Sequence, residues 1–183
     1  MIYTFLADGF EEIEALAPVD IMRRVGLAVT TVGIGKKEIV GAHGICVIAD
    51  IADSALDFNM INEAELIFLP GGMPGTKNLD ASPTVHKALD IATEQNAYIA
   101  AICAAPMILG KRGMLNGKRA VCYPSFEEYL IGASIPSDKR IVTDGKIITA
   151  MGMGVAYELG LEIVKILCGD EKANSLRKSI IAD

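Results

Sequence analysis

Long apolar runs, closely paired cysteines and an excess of positive charge are all missing from this sequence of 183 residues. No apolar run approaches the roughly 18 residues that a membrane-spanning helix requires, so the sequence predicts no membrane segment. The formal net charge is −6 and the isoelectric point is about 5.0. This acidity argues against nucleic acid, or an anionic membrane surface, as the main partner. Disorder is also disfavoured, because 51% of the residues are hydrophobic.

The cysteines show neither the spacing of a metal site nor that of a redox pair. They lie far apart in the sequence and none belongs to a C-x-x-C pair: Cys46, Cys103, Cys122 and Cys168. The two histidines, His43 and His86, lie near none of them, so we expect no metal. The opening residues MIYTFLADGFEE lack a basic leader and indicate a first strand rather than a signal peptide. Four free thiols are then most simply interpreted as those of a cytoplasmic protein.

Apolar segments alternate with helical patterns along the chain. The predicted strands cover residues 1–7, 28–33, 65–69, 97–102, 119–122, 140–142 and 147–150, and the predicted helices cover residues 11–25, 83–95, 106–112 and 155–167. A hairpin is predicted within residues 36–50. Strands that are apolar on both faces and alternate with helices are typical of a mostly parallel sheet covered on both sides. With no linker or repeat, residues 1–183 are predicted to form one α/β domain with a doubly wound sheet.

Cys103 lies where a predicted strand meets a predicted helix, in the segment YIAAICAAP. The alanines two positions before and after it resemble the small residues of a nucleophile elbow, and Pro106 suits the first turn of a helix. A thiol at that junction faces free backbone N–H groups and the positive end of a helix, which favours the thiolate. Cys103 is therefore a candidate nucleophile. The alternative is a buried cysteine that only fills the core.

Acidic residues follow the first predicted strand, in DGFEEIEALAP. Asp8 and Glu11 have the spacing of a capping-box variant, and Glu12 is expected to be solvated near the helix start. Glu14 has small and apolar helical neighbours, which would raise its pKa and keep it protonated. We predict that Glu14 donates a hydrogen bond to the thiolate of Cys103. The alternative is that Glu14 is one more exposed acid on a helix.

Two glycine-containing segments were considered as ligand loops. In PGGMPGT, residues 70–76, the glycines would let backbone N–H groups approach a ligand, although a plain turn would need them too. This segment lacks the Gly-Lys-Ser/Thr of a Walker loop, and GIGKKE, residues 33–38, lacks the third glycine of a dinucleotide fingerprint. We therefore predict no cofactor. Because ligands bind beyond the carboxyl ends of parallel strands, residues 8–14, 70–76 and 103–106 are expected to lie together.

Four segments, in order along essentially the whole chain, resemble the ThiJ/PfpI superfamily, specifically its DJ-1-like branch: FLADGFEEIEALAPVDIMRRVG, LIFLPGGMPGTKNL, YIAAICAAPMIL and ITAMGMGVAYELGLEIV. The resemblance implies a flavodoxin-like three-layer sandwich, a homodimer and a reactive cysteine on an elbow. It assigns the cysteine to Cys103, the partner carboxyl to Glu14, and the oxyanion-binding N–H groups to Gly72 and Ala104. Activities in the family include hydration or deglycation of reactive dicarbonyls, and sensing of oxidation with chaperone-like protection.

The sequence departs from the relatives with the best-attested dicarbonyl chemistry at three expected pocket positions. Tyr123 stands where they carry a histidine, and Met151 and Met153 stand where they carry arginine and proline. Methionines make a pocket more apolar and adaptable, whereas a tyrosine is a poor base near neutral pH. His43 takes the place of an arginine near the partner subunit, which makes it a candidate interface residue. A classical peptidase is not expected.

The sequence therefore predicts a cysteine-centred protein that acts on a small reactive carbonyl. The thiolate of Cys103 would attack the carbonyl, and Glu14 would move protons. One alternative is a redox sensor or chaperone in which Cys103 is oxidised to a sulfinate held by Glu14. Another is a binding protein whose pocket no longer reacts. Neither nucleic acid nor a membrane is expected as a partner.

Overall fold

A seven-stranded sheet forms the centre of the protein in the computed structural model, which describes residues 1–182. The strands are β1 (Ile2–Leu6), β2 (Val29–Gly33), β3 (Glu38–Val40), β4 (Cys46–Ile48), β5 (Ile51–Ala52), β6 (Leu66–Leu69), β7 (Tyr98–Ile102), β8 (Ile141–Asp144) and β9 (Ile147–Ala150). The sheet order is β5-β2-β1-β6-β7-β9-β8, and neighbouring strands are parallel except β8 and β9. β3 and β4 form a separate antiparallel hairpin, as the sequence predicted.

Helices cover both faces of this sheet. They are α1 (Glu12–Arg24), α2 (Phe58–Ile61), α3 (Gly75–Asp80), α4 (Pro83–Glu94), α5 (Pro106–Lys111), α6 (Ala156–Cys168) and α7 (Asp170–Ser179). No helix among residues 1–182 is long and apolar enough to span a membrane. The predicted α/β sandwich with a mostly parallel sheet is confirmed.

Alternate residues of the central strands pack against opposite helix layers. In β6, Leu66 and Phe68 pack with residues of α1, α6 and α7, whereas Ile67 and Leu69 pack with residues of α4 and α5. All four side chains are fully buried. Because neither face of such a strand contacts water, its sequence is a continuous apolar run without polar alternation. The segment LIFL was predictable for this reason.

The topology brings three chain segments to one edge of the sheet. β1, β6 and β7 are parallel neighbours, with Ile2 opposite Leu66 and Leu66 opposite Tyr98. Their carboxyl ends therefore lie side by side. The chain leaves them into the turn before α1, the glycine turn before α3, and the turn before α5. These are the segments that the sequence predicted to lie together.

Residues 119–122 do not form the predicted strand. Arg119 makes an isolated bridge with Ser134, and the N–H of Val121 donates to Oγ1 of Thr149, a residue of β9. β9 itself occupies the place beside β7 and pairs with β8 on its other side. Residues 120–122 are buried against the sheet without joining it. An apolar run predicts that a segment is buried, but it does not by itself predict that the segment pairs with a strand of the sheet.

Four elements were not predicted from the sequence: α7, α2, α3 and the two-residue strand β5. α7 is the longest of these, and only two of its residues, Ala173 and Leu176, are buried. Its remaining residues are mostly charged or polar, so few apolar positions mark it as a packed helix. It begins after Gly169, whose φ of 89° ends α6 and turns the chain. Left-handed backbone of this kind favours glycine.

The start of α1 differs from the predicted capping box. Glu11 is the N-cap, and its side chain accepts a hydrogen bond from the N–H of Glu14 at 2.6 Å. Asp8 instead accepts a hydrogen bond from the N–H of Val40 at 2.9 Å and forms an ion pair with Lys36 at 2.8 Å. Asp8 therefore attaches the β3–β4 hairpin to the end of β1.

Glu12 is buried, and the prediction that it is solvated is wrong. Its side chain is only 3% exposed, and its carboxylate accepts a hydrogen bond from the N–H of His43 at 2.8 Å and contacts Nδ1 of His43 at 2.9 Å. Burial alone would raise the pKa of Glu12, but His43 and nearby backbone N–H groups lower it below its ordinary value. The hydrogen bond to Glu12 raises the pKa of His43 in turn. This pair connects α1 to the β3–β4 hairpin.

Candidate active site

Cys103 occupies a sharp turn between β7 and α5. Its φ is 64°, in the left-handed region that residues other than glycine seldom adopt. Such a conformation costs about 1–3 kcal/mol and persists only where the surrounding structure holds it. Here the N–H of Cys103 donates to the carbonyl of Ala150 at 2.9 Å, and its own carbonyl accepts from the N–H of Tyr123 at 2.8 Å. The elbow geometry predicted around Cys103 is present.

Glu14 lies beside Cys103 and is only 2% exposed. Both side chains approach Gly71, where an added Cβ would lie 2.4 Å from Oε2 of Glu14 and 2.6 Å from Cβ of Cys103. Oε2 of Glu14 is buried and has no well-formed hydrogen bond from residues 1–182. An unsatisfied buried oxygen costs about 1–3 kcal/mol. Its presence here points to a use other than stability.

The Glu14 carboxyl titrates near neutral pH. Burial raises its pKa from the ordinary value of 4.5 to about 7, the Cys103 thiol lowers it in part, and the charge of Glu11 raises it again. The backbone N–H groups of Gly71 and Met153 also lower this pKa, although their contacts fall short of satisfying Oε2. A carboxyl with a pKa near 7 exchanges protons readily at physiological pH.

Two backbone N–H groups face the sulfur of Cys103. Burial raises the pKa of the Cys103 thiol to about 12, the ionised Glu14 adds to this increase, and the N–H groups of Gly72 and Ala104 oppose it. Gly72 has a φ of 90°, and a Cβ there would lie 2.2 Å from the backbone nitrogen of Glu11. The N–H groups expected to bind an oxyanion therefore lie beside the expected nucleophile.

The expectation that free backbone N–H groups and the start of α5 together favour the thiolate is wrong, because burial and Glu14 outweigh them. α5 has only 6 residues, so few peptide dipoles add up at its start. Burial and the charge of Glu14 both favour the neutral thiol of Cys103. The two groups instead form one acid–base pair, in which a thiolate arises when the thiol passes its proton to the carboxylate. That transfer leaves the total charge of the pair unchanged.

A pocket of about 310 Å³ opens next to this pair. It is lined by Tyr123, Pro124, Arg140, Met151, Gly152, Met153, Gly154 and Val155. Gly152 separates the pocket from the carboxyl, since a Cβ there would lie 3.7 Å from Oε1 of Glu14 and 3.3 Å from the ring of Tyr123. The three residues predicted to form a pocket therefore share one opening. Arg140 was missed, because nothing marks it in the sequence except its place at the start of a predicted strand.

The histidines and the remaining acids do not complete a different kind of site. His86 contacts the carbonyl of Asp80 and the guanidinium of Arg112, and neither His86 nor His43 hydrogen-bonds to Cys103 within residues 1–182. A thiol protease would need such a contact. Donor atoms of Glu11, Glu12 and His43 lie within 4.8 Å of one another. Since Glu12 and His43 already satisfy each other and Glu11 caps α1, we assign no metal to them.

Comparison with known proteins shows what the whole chain resembles. The profile of the DJ-1/PfpI family matches residues 1–166. The protein dj-1beta of Drosophila melanogaster is 36% identical over 177 residues, covering 96% of this chain and 94% of that one. A Caenorhabditis elegans protein named glutathione-independent glyoxalase DJR-1.2 is 31% identical, covering 93% of this chain and 89% of its own. The structure of oxidized Toxoplasma gondii DJ-1 matches with a TM-score of 0.88 and 32% identity, covering 98% and 97% of the two chains.

These similarities extend over the segments that form the site. The family match includes the glycine turn at residues 70–74, the Cys103 elbow and the pocket around Gly152. The relatives also cover nearly the full length of the described fold. The chain therefore belongs to the DJ-1/PfpI family.

Proposed function

We propose that the protein converts small 2-oxoaldehydes into 2-hydroxy acids through a covalent intermediate on Cys103. The observation that carries the proposal is the buried pair of Glu14 and Cys103, with the N–H groups of Gly72 and Ala104 facing the sulfur. The name of the C. elegans relative, a glutathione-independent glyoxalase, supports this assignment. Such an enzyme needs a nucleophile, an oxyanion site and a base within reach of one carbonyl carbon.

The first step forms a bond between sulfur and carbon. Sγ of Cys103 passes its proton to the Glu14 carboxylate and attacks the aldehyde carbon. The aldehyde oxygen becomes an oxyanion, which the N–H groups of Gly72 and Ala104 stabilise. Glu14 then returns the proton to that oxygen. The product of this step is a neutral hemithioacetal, and the carboxylate is ready to act again.

The second step moves a proton between the two former carbonyl carbons. The Glu14 carboxylate takes the proton from the carbon bonded to sulfur and delivers it to the neighbouring carbon, while the hydroxyl proton on the first carbon moves to the oxygen of the second. The first carbon becomes a thioester and the second becomes a hydroxyl-bearing carbon, so one is oxidised while the other is reduced. Water then hydrolyses the thioester, which releases the 2-hydroxy acid and restores the thiol. The overall change consumes one water molecule and needs no external oxidant.

A pKa near 7 suits Glu14 to this work. The same carboxyl must accept a proton from a thiol and from carbon, and must also donate one to oxygen. An acid–base group exchanges protons in both directions most efficiently when its pKa lies near the working pH. The value of kcat/KM should therefore rise with pH through an inflection near 7, because only the ionised carboxyl can accept the thiol proton.

Methylglyoxal provides the direct test. Lactate formation from methylglyoxal should be measured for the wild type, Cys103→Ser and Glu14→Gln. Each substitution should reduce turnover by about 10²-fold or more. This is the usual decrease in rate when a proton-transfer group or a nucleophile is removed. Cys168→Ser is the matched control, because Cys168 is exposed at the end of α6. Turnover that survives Cys103→Ser would reject the mechanism.

A redox sensor is the second candidate for the same site. Peroxide would oxidise the Cys103 thiolate to a sulfenate and a second equivalent would oxidise that to a sulfinate, with one water released each time. Protonated Glu14 and the N–H groups of Gly72 and Ala104 could then donate to the sulfinate oxygens. The oxidized state named for the T. gondii relative favours keeping this candidate. Mass spectrometry after peroxide treatment, combined with the absence of methylglyoxal turnover, would select it. If neither oxidation of Cys103 nor turnover of methylglyoxal is observed, the pocket only binds its ligand.

We also propose that the protein is a cytoplasmic homodimer. All four cysteines are unpaired, as expected where thiols stay reduced. The β3–β4 hairpin exposes apolar side chains, with Val40 41%, Ile45 55% and Ile48 71% exposed. Ile13 on neighbouring α1 is 50% exposed. Several exposed apolar side chains on neighbouring elements are often covered by a partner, and a second copy is the partner that the family resemblance favours. His43, between α1 and the hairpin, would lie at this interface.

A further inference from the structure

The pocket beside Glu14 has an almost entirely apolar lining. The side chains of Met151, Met153, Pro124 and Val155 contribute to it, together with the ring of Tyr123. Methionine is unbranched and flexible, so it adapts to an inserted chain more easily than a branched side chain. The cavity of about 310 Å³ is large enough for several carbon atoms beyond the reacting carbonyls.

Charge does not dominate this pocket. Among the described residues that line it, Arg140 is the one with a charged side chain. Nη2 of Arg140 lies 3.9 Å from Oε1 of Glu158, so a carboxylate already faces the guanidinium. A substrate carrying its own carboxylate would have to compete with Glu158. Apart from Arg140 and the hydroxyl of Tyr123, the lining side chains offer no strong hydrogen-bonding group to the hydroxyls of a sugar-derived carbonyl.

The position of the pocket relative to the reactive pair indicates what it would hold. Gly152 lines the pocket beside Oε1 of Glu14, whereas Oε2 of Glu14 and Cys103 both approach Gly71. The N–H groups of Gly72 and Ala104 face the sulfur. A 2-oxoaldehyde bonded to Sγ through its first carbon would thus direct its substituent toward Met151 and Met153.

We infer that this pocket binds the substituent of the substrate and that the protein prefers 2-oxoaldehydes with unbranched alkyl chains. The inference rests on the proposed function and names its substrate class. The preferred substrates carry an alkyl group longer than methyl, and hydroxylated chains of equal length are poorer substrates. Methionines at positions 151 and 153 determine this preference through apolar contact.

The size of the preference follows from the exposure of the pocket. Full burial of one methylene group is worth about fourfold in kcat/KM. Tyr123 is 50% exposed and Met153 is 54% exposed, so a chain in the pocket stays partly in contact with water. Half burial reduces the gain to about twofold for each methylene. The compound 2-oxohexanal has three more methylenes than methylglyoxal, so its kcat/KM should be about eightfold higher.

The experiment compares three substrates on the full chain. The value of kcat/KM should be measured for methylglyoxal, for 2-oxohexanal, and for 3-deoxyglucosone, which has six carbons and a hydroxylated chain. The wild type should favour 2-oxohexanal over methylglyoxal by about eightfold, and over 3-deoxyglucosone by more. Met153→Gln keeps the length of the side chain while adding a polar amide, and should bring the first ratio close to one. Met60→Gln is the matched control, since Met60 is 43% exposed on α2, before the amino end of β6, and should keep the wild-type ratio.

Several results would overturn the inference. Equal or better turnover of methylglyoxal by the wild type would do so, and so would a ratio that Met153→Gln leaves unchanged. Absence of turnover with all three substrates would reject the proposed function. In that case, protection of Cys103 from iodoacetamide still tests the pocket, with lactate and 2-hydroxyhexanoate as the probes. The longer acid should protect at an about eightfold lower concentration, and equal protection, or none, would overturn the inference independently of catalysis.

Discussion

Glu14 and Cys103 meet across Gly71, at a point where one added methyl group would collide with both. The carboxyl comes from the start of α1 and the thiol from the turn after β7, about ninety residues later in the chain. The backbone of Gly71 is not in the left-handed region, so its conformation alone does not require glycine. Glycine is required at position 71 because the side chains of Glu14 and Cys103 both approach it so closely.

Replacing Gly71 should therefore damage both stability and the reactive pair. In Gly71→Ala the new Cβ would meet Oε2 of Glu14 and Cβ of Cys103, and such overpacking costs about 1–3 kcal/mol. Urea denaturation should show this loss, and methylglyoxal turnover should fall with it. Gly154→Ala is the control, because no atom lies within 4 Å of a Cβ there, and its free energy of unfolding should change by less than about 0.5 kcal/mol. A Gly71→Ala variant as stable and active as the wild type would contradict the described geometry.

Glu14 should make the protein less stable as the pH rises. Its pKa is about 7 in the folded state against an ordinary value of 4.5, so the folded chain holds this proton more tightly than the unfolded chain. The stabilisation is complete below pH 4.5 and is lost as the pH rises through about 7, by up to about 3 kcal/mol. Urea denaturation of wild type and Glu14→Gln between pH 5 and pH 8 should show this difference, with Glu14→Gln gaining relative stability at the higher pH.

A second carboxyl controls for the loss of charge in that experiment. Glu171→Gln removes an exposed carboxyl from the first turn of α7, and should follow the wild type at every pH. If Glu14→Gln does the same, the carboxyl of Glu14 is not perturbed by burial as described.

Tyr123 should limit the rate of carbonyl hydration. Its N–H donates to the carbonyl of Cys103 at 2.8 Å, and its ring borders the gap between Gly152 and Glu14. A histidine at this position would add a group that titrates near neutral pH and assists the second proton transfer. Tyr123→His should raise kcat for methylglyoxal by about tenfold to 10²-fold at pH 7. Tyr123→Phe keeps a ring and removes the hydroxyl, and should show no gain. Equal gains in both variants would indicate that the hydroxyl of Tyr123, and not a missing proton-transfer group, limits the rate.

The exposed face of the β3–β4 hairpin should be the dimer interface. Light scattering of the wild type should give about twice the chain mass of 19.4 kDa. Ile48→Glu places a charge at the most exposed apolar position of the hairpin and should give a single chain mass, because an unpaired charge is costly to bury. Ile181→Glu changes an isoleucine that is 91% exposed near the chain end and should remain dimeric. A monomeric wild type would remove the dimer proposal altogether.

Much of the fold was predictable because local patterns report burial directly. The apolar strands β1, β6 and β7 are covered on both faces, so their sequences carry no polar alternation. The alanines around Cys103 and the proline after it predicted the elbow, since small residues are needed where a strand turns sharply into a helix. The environment of Glu14 was also predictable, because its helical neighbours are small or apolar.

Other features depended on contacts between distant segments. Glu12 has the sequence context of a solvated acid, yet it is buried because His43, 31 residues away, covers it and donates to it. Residues 119–122 have the composition of a strand, but β9 occupies the place beside β7 and pairs with β8 on its other side. Arg140 directly precedes β8, and it lines the pocket because β8 pairs with β9 at the edge of the sheet.

The sequence by itself determined the layers of the fold, the edge of the sheet where Glu14 and Cys103 meet and the elbow at Cys103, since these depend on periodicity and on local turns. Tertiary structure decided the protonation of that pair. The pKa of a carboxyl or thiol depends on how much water reaches it and on which charges and N–H groups face it. For Cys103 those groups come from the turn after β6, from α1 and from its own elbow, and only the assembled sheet brings them within reach of the sulfur.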